Sequence, residues 1–169
     1  SLFGLVPSAL MGIDMHHLLA SAGAMAGACR VADPRRNPGL LLGAFIAAGA
    51  HVGRDKLTLV LPPRLEPFGL WVEQLVAEST GKQGKGVVPV FGEAADVPLG
   101  DDRIIVQLCV GNQSPQSPRV DGERATSTPT IALQIPDVAA IGGEFFRWEV
   151  ATATAGWLLD VNPFDEPNV

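Results

Sequence analysis

The chain has 169 residues, enough for one domain with a substantial buried core. Its net charge is −6, with acidic and basic residues interspersed; there is no basic run and no helix-turn-helix or RNA-binding signature, so no nucleic-acid partner is expected. Apolar residues make up 47%, with 19 glycines and 14 prolines, a composition that points to an α/β domain with many tight connections.

Asp14 reads as the N-cap of an alanine-rich helix from Met15 to about Cys29. Asp33-Pro34-Arg35-Arg36 breaks the pattern. Asn37-Pro38 then opens a second helix, with Asn as cap and Pro at the first helical position. Its body, Leu40 to about Val52, is apolar nearly all round, as in a buried helix, with Gly43 and Gly49 allowing close packing and Gly53 ending it. The apolar run from Pro38 to Ala50 is shorter than the ~20 residues of a bilayer span. No basic region of a signal peptide opens the sequence. The expectation is a cytoplasmic chain without a membrane partner.

Lys56 to Leu61 reads as a buried strand stopped by Pro62-Pro63. Residues 64–79 form a third helix, in which Trp71, Leu75 and Glu78, spaced by four and three, share one face. That face is expected to turn Glu78 inward or into a cleft. Val87 to Phe91, Arg103 to Val110 and Thr130 to Ile135 are further strands, and residues 111–129, rich in Asn, Gln, Ser, Pro and Thr, read as a mobile loop. Glu144 to about Leu159 is the last helix, after Gly142-Gly143. Apolar strands separated by helices predict a mostly parallel sheet covered on both faces, in one domain spanning 1–169. Ligands of such folds sit beyond the carboxyl ends of the strands.

The stretch 74–86 carries the chemistry. Glu78 closes a helix and is followed by Ser79-Thr80-Gly81-Lys82 and a Gly-Lys-Gly turn. The negative end of the helix dipole favours the protonated carboxyl, and Lys82 pulls the other way. A base that takes a proton from carbon and returns it needs that balance. By spacing alone, Gly81 also serves as a plain helix stop, with the lysines on its last carbonyls. The Gly81–Gly86 loop is not a P-loop, because no Ser or Thr follows Lys85. It reads as an anion cradle or as a solvated lysine loop.

Adjacent His16 and His17 diverge by about 100° on a helix and do not face one metal ion. His51 suits the end of its helix. Cys29 and Cys109 lack zinc spacing and read as buried free thiols. Glu144 reads as a helix-start carboxylate, Arg147 and Trp148 as packing and surface ion-pair residues, and Asp101-Asp102 as a turn. No metal or cofactor is expected.

Three blocks resemble one family. Residues 71–90, from Trp71 through Glu78-Ser79-Thr80-Gly81-Lys82 to Val90, resemble the core signature of the phosphoglucose isomerase (glucose-6-phosphate isomerase) family. Residues 1–14 resemble the segment after its Gly-Gly-Arg-aromatic-Ser motif. Gly156 to Val169, with Asn162-Pro163-Phe164-Asp165-Glu166, resembles most of its C-terminal signature. The run from Gly142 to Glu149 resembles the isomerase half of transaldolase–phosphoglucose isomerase fusion proteins.

The resemblance implies a sugar-isomerase (SIS) type three-layer αβα sandwich, one domain of a longer and commonly dimeric isomerase. It implies interconversion of glucose 6-phosphate and fructose 6-phosphate through an enediol(ate), with Glu78 as base. Ser79, Thr80, Gly81, Lys82 and Glu166 are the implied pocket residues. The phosphate cradle and a steadying arginine would lie upstream, and a ring-opening lysine downstream. Two departures stand out: Glu166 replaces the family's glutamine, and no histidine follows Glu78 to open the ring. These departures leave room for a non-catalytic sugar-phosphate-binding module or a structural domain.

Overall fold

Four parallel strands form the centre of the fold, and their apolar faces dictate the rest. A computed structural model describes residues 2–92, 100–115 and 128–165. In chain order the elements are α1 (Leu2–Leu10), α2 (Met15–Ala28), α3 (Pro38–His51), β1 (Lys56–Val60), α4 (Glu66–Thr80), β2 (Val88–Phe91), β3 (Arg103–Val110), β4 (Thr130–Ile135) and α5 (Ile141–Leu158). The sheet order is β2-β1-β3-β4, every pair parallel, with Leu57 opposite Ile104 and Leu108 opposite Leu133. The α/β sandwich on a parallel sheet is the architecture expected from the sequence.

Alternate strand residues point to opposite faces. Leu57, Leu59, Ile104, Val106, Leu133 and Ile135 meet Leu42 and Ile46 of α3, Val72 and Val76 of α4, and Trp148, Ala151 and Ala155 of α5 in one core. The other face carries Thr58, Ile105, Gln107 and Cys109, which are also buried. Phe68 and Trp71 of α4 stack on each other at 5.5 Å, and both meet Phe145 of α5 edge-on, at 5.2 and 4.7 Å. This cluster fixes the angle between the two helices.

The caps are as the sequence predicts. Asp14 accepts from the His17 amide, and Asn37 accepts from Gly39 and Leu40. The close approach of α3 and α5 rests on Gly43, where a Cβ would lie 2.5 Å from the Ala151 carbonyl oxygen. Among the described residues no helix is long and apolar enough to cross a membrane. Cys29 and Cys109 are free thiols, Cys109 buried and Cys29 half-buried.

Two corrections belong here. The first helix, α1, is missing from the sequence-based elements. It is almost wholly exposed, with Phe3 and Leu10 open to solvent, so no buried stripe marks it. The last helix starts at Ile141, three residues earlier than expected. Gly142 is helical because it abuts α2: a Cβ there would lie 2.0 Å from the Leu18 carbonyl oxygen.

Candidate active site

Helix direction sets the location. α4 leaves the carboxyl end of β1 and runs back to the start of β2, so its last turn lies at the amino edge of the sheet. α5 runs back from β4 in the same sense, and α3 ends just before β1. Three helix C-termini therefore converge at this edge. This corrects the general expectation: the Glu78 stretch sits at the opposite end of the sheet from the strands' carboxyl ends.

Thr80 is fully buried. Its Oγ1 donates to the Val76 carbonyl at 2.8 Å and accepts from the Val87 amide at 3.0 Å, tying the helix end to the strand that follows. The loop between them is tight: Gln83, Gly84 and Gly86 have φ of 56°, 70° and 148°. A Cβ on Gly86 would lie 2.9 Å from Cα of Gly81. Ser79 is half-buried beside this loop.

Lys82 is not part of a solvated loop. It is 5% exposed, and its Nζ donates to the carbonyl oxygens of Asn162 at 2.6 Å and Asp165 at 2.5 Å. Lys85 adds a weaker, exposed tie, 3.2 Å to the Asp160 carbonyl and 3.5 Å to its carboxylate. Pro163 packs on Gly156, where a Cβ would come within 2.9 Å of the proline ring, and Asn162 Oδ1 accepts from the Phe164 amide at 3.1 Å. The Asn162–Asp165 turn is thereby held against the end of α4. His51 at the end of α3 lies 3.2 Å from the Leu158 carbonyl, a structural contact as expected.

Glu78 is exposed, which corrects its expected inward orientation. The buried stripe of α4 is Phe68, Val72, Val76 and Thr80; Trp71 and Leu75 are offset from it by one residue and Glu78 by two. At about 100° per residue these offsets leave Trp71 and Leu75 half-buried and carry Glu78 into solvent. Gln74 Nε2 donates to its Oε1 at 3.0 Å. So Glu78, Ser79, Thr80, Gly81 and Lys82 lie together with the Asn162–Asp165 turn, but the described residues do not enclose the carboxylate. Glu166 lies outside the described residues.

A second carboxylate differs from its sequence reading. Glu144 is fully buried and is not an exposed helix cap. Arg147, one turn on, is also largely buried, so their pair is not a surface ion pair. Arg147 Nη2 lies 3.2 Å from Glu144 Oε1, within ion-pair range but not aligned as a hydrogen bond. Burial raises the Glu144 pKa, and the Arg147 charge opposes this only in part. The available signals were the i,i+3 spacing to Arg147 and the glycine pair that brings α2 over it.

His17 lies 3.6 Å from Asp137, and His16 is exposed; among the described residues no group of three His, Cys, Asp or Glu could hold a metal ion.

No family model matches the chain. Individual proteins do. A protein named glucose-6-phosphate isomerase from a Synechococcus species is 44% identical over 214 residues, covering all of this chain and 39% of its own length. Its namesakes from Symbiobacterium thermophilum and Parasynechococcus marenigrum are 30% and 29% identical, covering 98% and 100% of this chain. The chain spans 38 to 46% of these three relatives' length. A crystal structure of a hypothetical protein from Thermus thermophilus superimposes with a TM-score of 0.76 at 24% identity, over all of this chain and 51% of that one. This second likeness concerns the fold.

Proposed function

We propose, from the premise that this chain belongs to the glucose-6-phosphate isomerase family, that it is the base-bearing SIS-type domain of a longer isomerase acting on glucose 6-phosphate and fructose 6-phosphate. One observation carries this reading: the Lys82 clamp. Two sequence blocks that resemble the family's signatures are some 80 residues apart, and Lys82 holds them together at one edge through Asn162 and Asp165.

In the proposed reaction the Glu78 carboxylate removes the proton from C2 of the open-chain aldose phosphate. The C2–H electron pair forms the enediolate double bond, and the negative charge moves to O1. Glu78-H then returns the proton to C1, giving the ketose as the O2–H proton passes to O1. Such transfer needs a site closed to water. Exposed Glu78 therefore relies on the remainder of the parent protein to cover it and to bind the phosphate. Ser79 and Gly81 shape the approach to Glu78, whereas Thr80 and Lys82 position it. A cytoplasmic homodimer, with or without a fused transaldolase domain, is part of the same proposal.

The test is conversion of fructose 6-phosphate to glucose 6-phosphate by the full-length parent protein and its Glu78→Gln variant. The variant is expected to lose roughly 10²–10⁴-fold in kcat with KM little changed. Retained turnover would overturn the assignment of the base. The exposure of Glu78 favours one alternative, a non-catalytic sugar-phosphate-binding module. A parent that binds the sugar phosphate equally well with Glu or Gln at this position, and turns over neither, is the result expected from it.

A further inference from the structure

We propose that the cavity at the carboxyl ends of β1 and β3 binds a small uncharged ligand bearing an amide or lactam edge. The inference is independent of the isomerase reading, since the cavity lies at the opposite edge of the sheet from Glu78.

Topology creates the space. From β1 the chain turns through Pro62-Pro63 into α4 and on to β2, whereas from β3 it moves the other way, to β4. Adjacent parallel strands whose connections diverge leave a crevice at their carboxyl ends, where ligands of open α/β sheets bind. Here the crevice is a cavity of 280 Å³. That lies at the small end of ligand pockets and suits a single ring rather than a dinucleotide.

Its lining sets the chemistry. Val60, Pro62 and Pro63 form an apolar wall; the prolines lack N–H donors and present flat rings. Gln107, Gln113 and Ser114 supply the polar side. Gln107 is 5% exposed, yet its side-chain amide has no hydrogen-bond partner among the described residues. Its amide atoms are not among the sealed, unpartnered polar atoms and open into the cavity, where a water or a ligand completes them. Gln113 is fixed in place: its Oε1 accepts from the Val110 amide at 3.2 Å, which leaves its NH₂ group available. Gln134 Nε2 donates to the Gly111 carbonyl and steadies the chain where it leaves β3.

Among the described residues, no lysine, arginine, histidine or carboxylate lines the cavity. A phosphate or other anion would find no counter-charge among these lining residues. A carboxamide instead offers adjacent donor and acceptor atoms, complementary to a cis-amide edge, while the proline wall receives a ring face.

The experiment is NMR titration of the isotope-labelled chain with uracil and with nicotinamide, reading the side-chain NH₂ signals of Gln107 and Gln113. Inorganic phosphate is the control. Saturable shifts of both signals are expected with at least one probe, with a Kd on the order of millimolar. Phosphate should shift neither. The Gln107→Leu variant keeps the volume and should weaken binding by roughly tenfold. If that variant loses its native spectrum, Ser114→Ala is read in its place, with the same expected direction. Absence of a shift with both probes, or unchanged affinity in the variant that is read, would overturn the proposal.

Discussion

Replacing Lys82 with methionine tests the clamp directly. Methionine retains most of the apolar stem and removes the ammonium. Two charge-assisted hydrogen bonds are lost, each worth about 1.5–3 kcal/mol in a protein setting. The acceptors belong to Asn162 and Asp165, both exposed, so water can replace part of each bond. The net loss should fall near the lower end, about 2–4 kcal/mol. In a chain of this size that is roughly 4–16 °C in Tm. The matching Lys85→Met change removes an exposed contact at 3.2–3.5 Å and should cost under about 1 kcal/mol. Hydrogen exchange gives the local readout: amides of 160–165 should lose protection in Lys82→Met, while those of β1 and β3 change little. Equal behaviour of the two lysine variants would refute the claim that Lys82 joins the two segments.

Glu144 gives a pH signature. Its folded pKa is raised by burial above the ordinary value of 4.5, so the unfolded chain releases its proton first. Stability from this group is full below that value and falls as pH rises towards the folded pKa. Glu144→Gln should flatten this decline, measured as urea midpoints at pH 4, 6 and 8; an unchanged slope counts against the buried-acid assignment. Gly86→Ala places a Cβ at φ 148° and 2.9 Å from Gly81 Cα, and should cost about 1–3 kcal/mol in chemical denaturation. By contrast, Glu78→Gln touches an exposed side chain bonded, among the described residues, to Gln74, and should leave stability within about 0.5 kcal/mol. A larger change would mean that Glu78 carries structural weight.

Much of the fold was legible because local chemistry and tertiary packing agree. Asp14 and Asn37 cap where their side chains can reach helix amides. Lys56 to Val60 and Arg103 to Val110 are near-continuous apolar runs because both faces of the sheet are buried. Gly43 marked a helix contact that the structure makes. The strand order β2-β1-β3-β4 was not legible, since parallel neighbours are chosen by crossover geometry and not by residues within a strand. The site was half legible. The Glu78 stretch and the Asn162–Asp165 turn were each visible as motifs, but Lys82 was placed in a solvated loop or in the substrate pocket. A lysine's burial depends on what a distant segment offers it, here two carbonyls some 80 residues away. Glu144 was misjudged for the same reason, because α2 covers it from outside its own helix.

The amino edge also limits what this chain can supply to the proposed reaction. Three helices end there, each presenting the negative end of its dipole. The described cations nearby already serve neighbouring groups. Lys82 holds Asn162 and Asp165, Lys85 reaches Asp160, Arg54 Nη1 donates to the Arg103 carbonyl at 3.2 Å, and Lys56 pairs with Asp55 at 2.6 Å. Moving any of them to a phosphate would break a contact that shapes the edge. The same lysine chemistry that first suggested an anion cradle is therefore engaged in assembly. A sugar phosphate whose reacting carbons reach Glu78 must find the partner for its anionic end beyond these residues. Under the proposed function the chain supplies the base and its alignment, and the phosphate is held by groups other than these described cations.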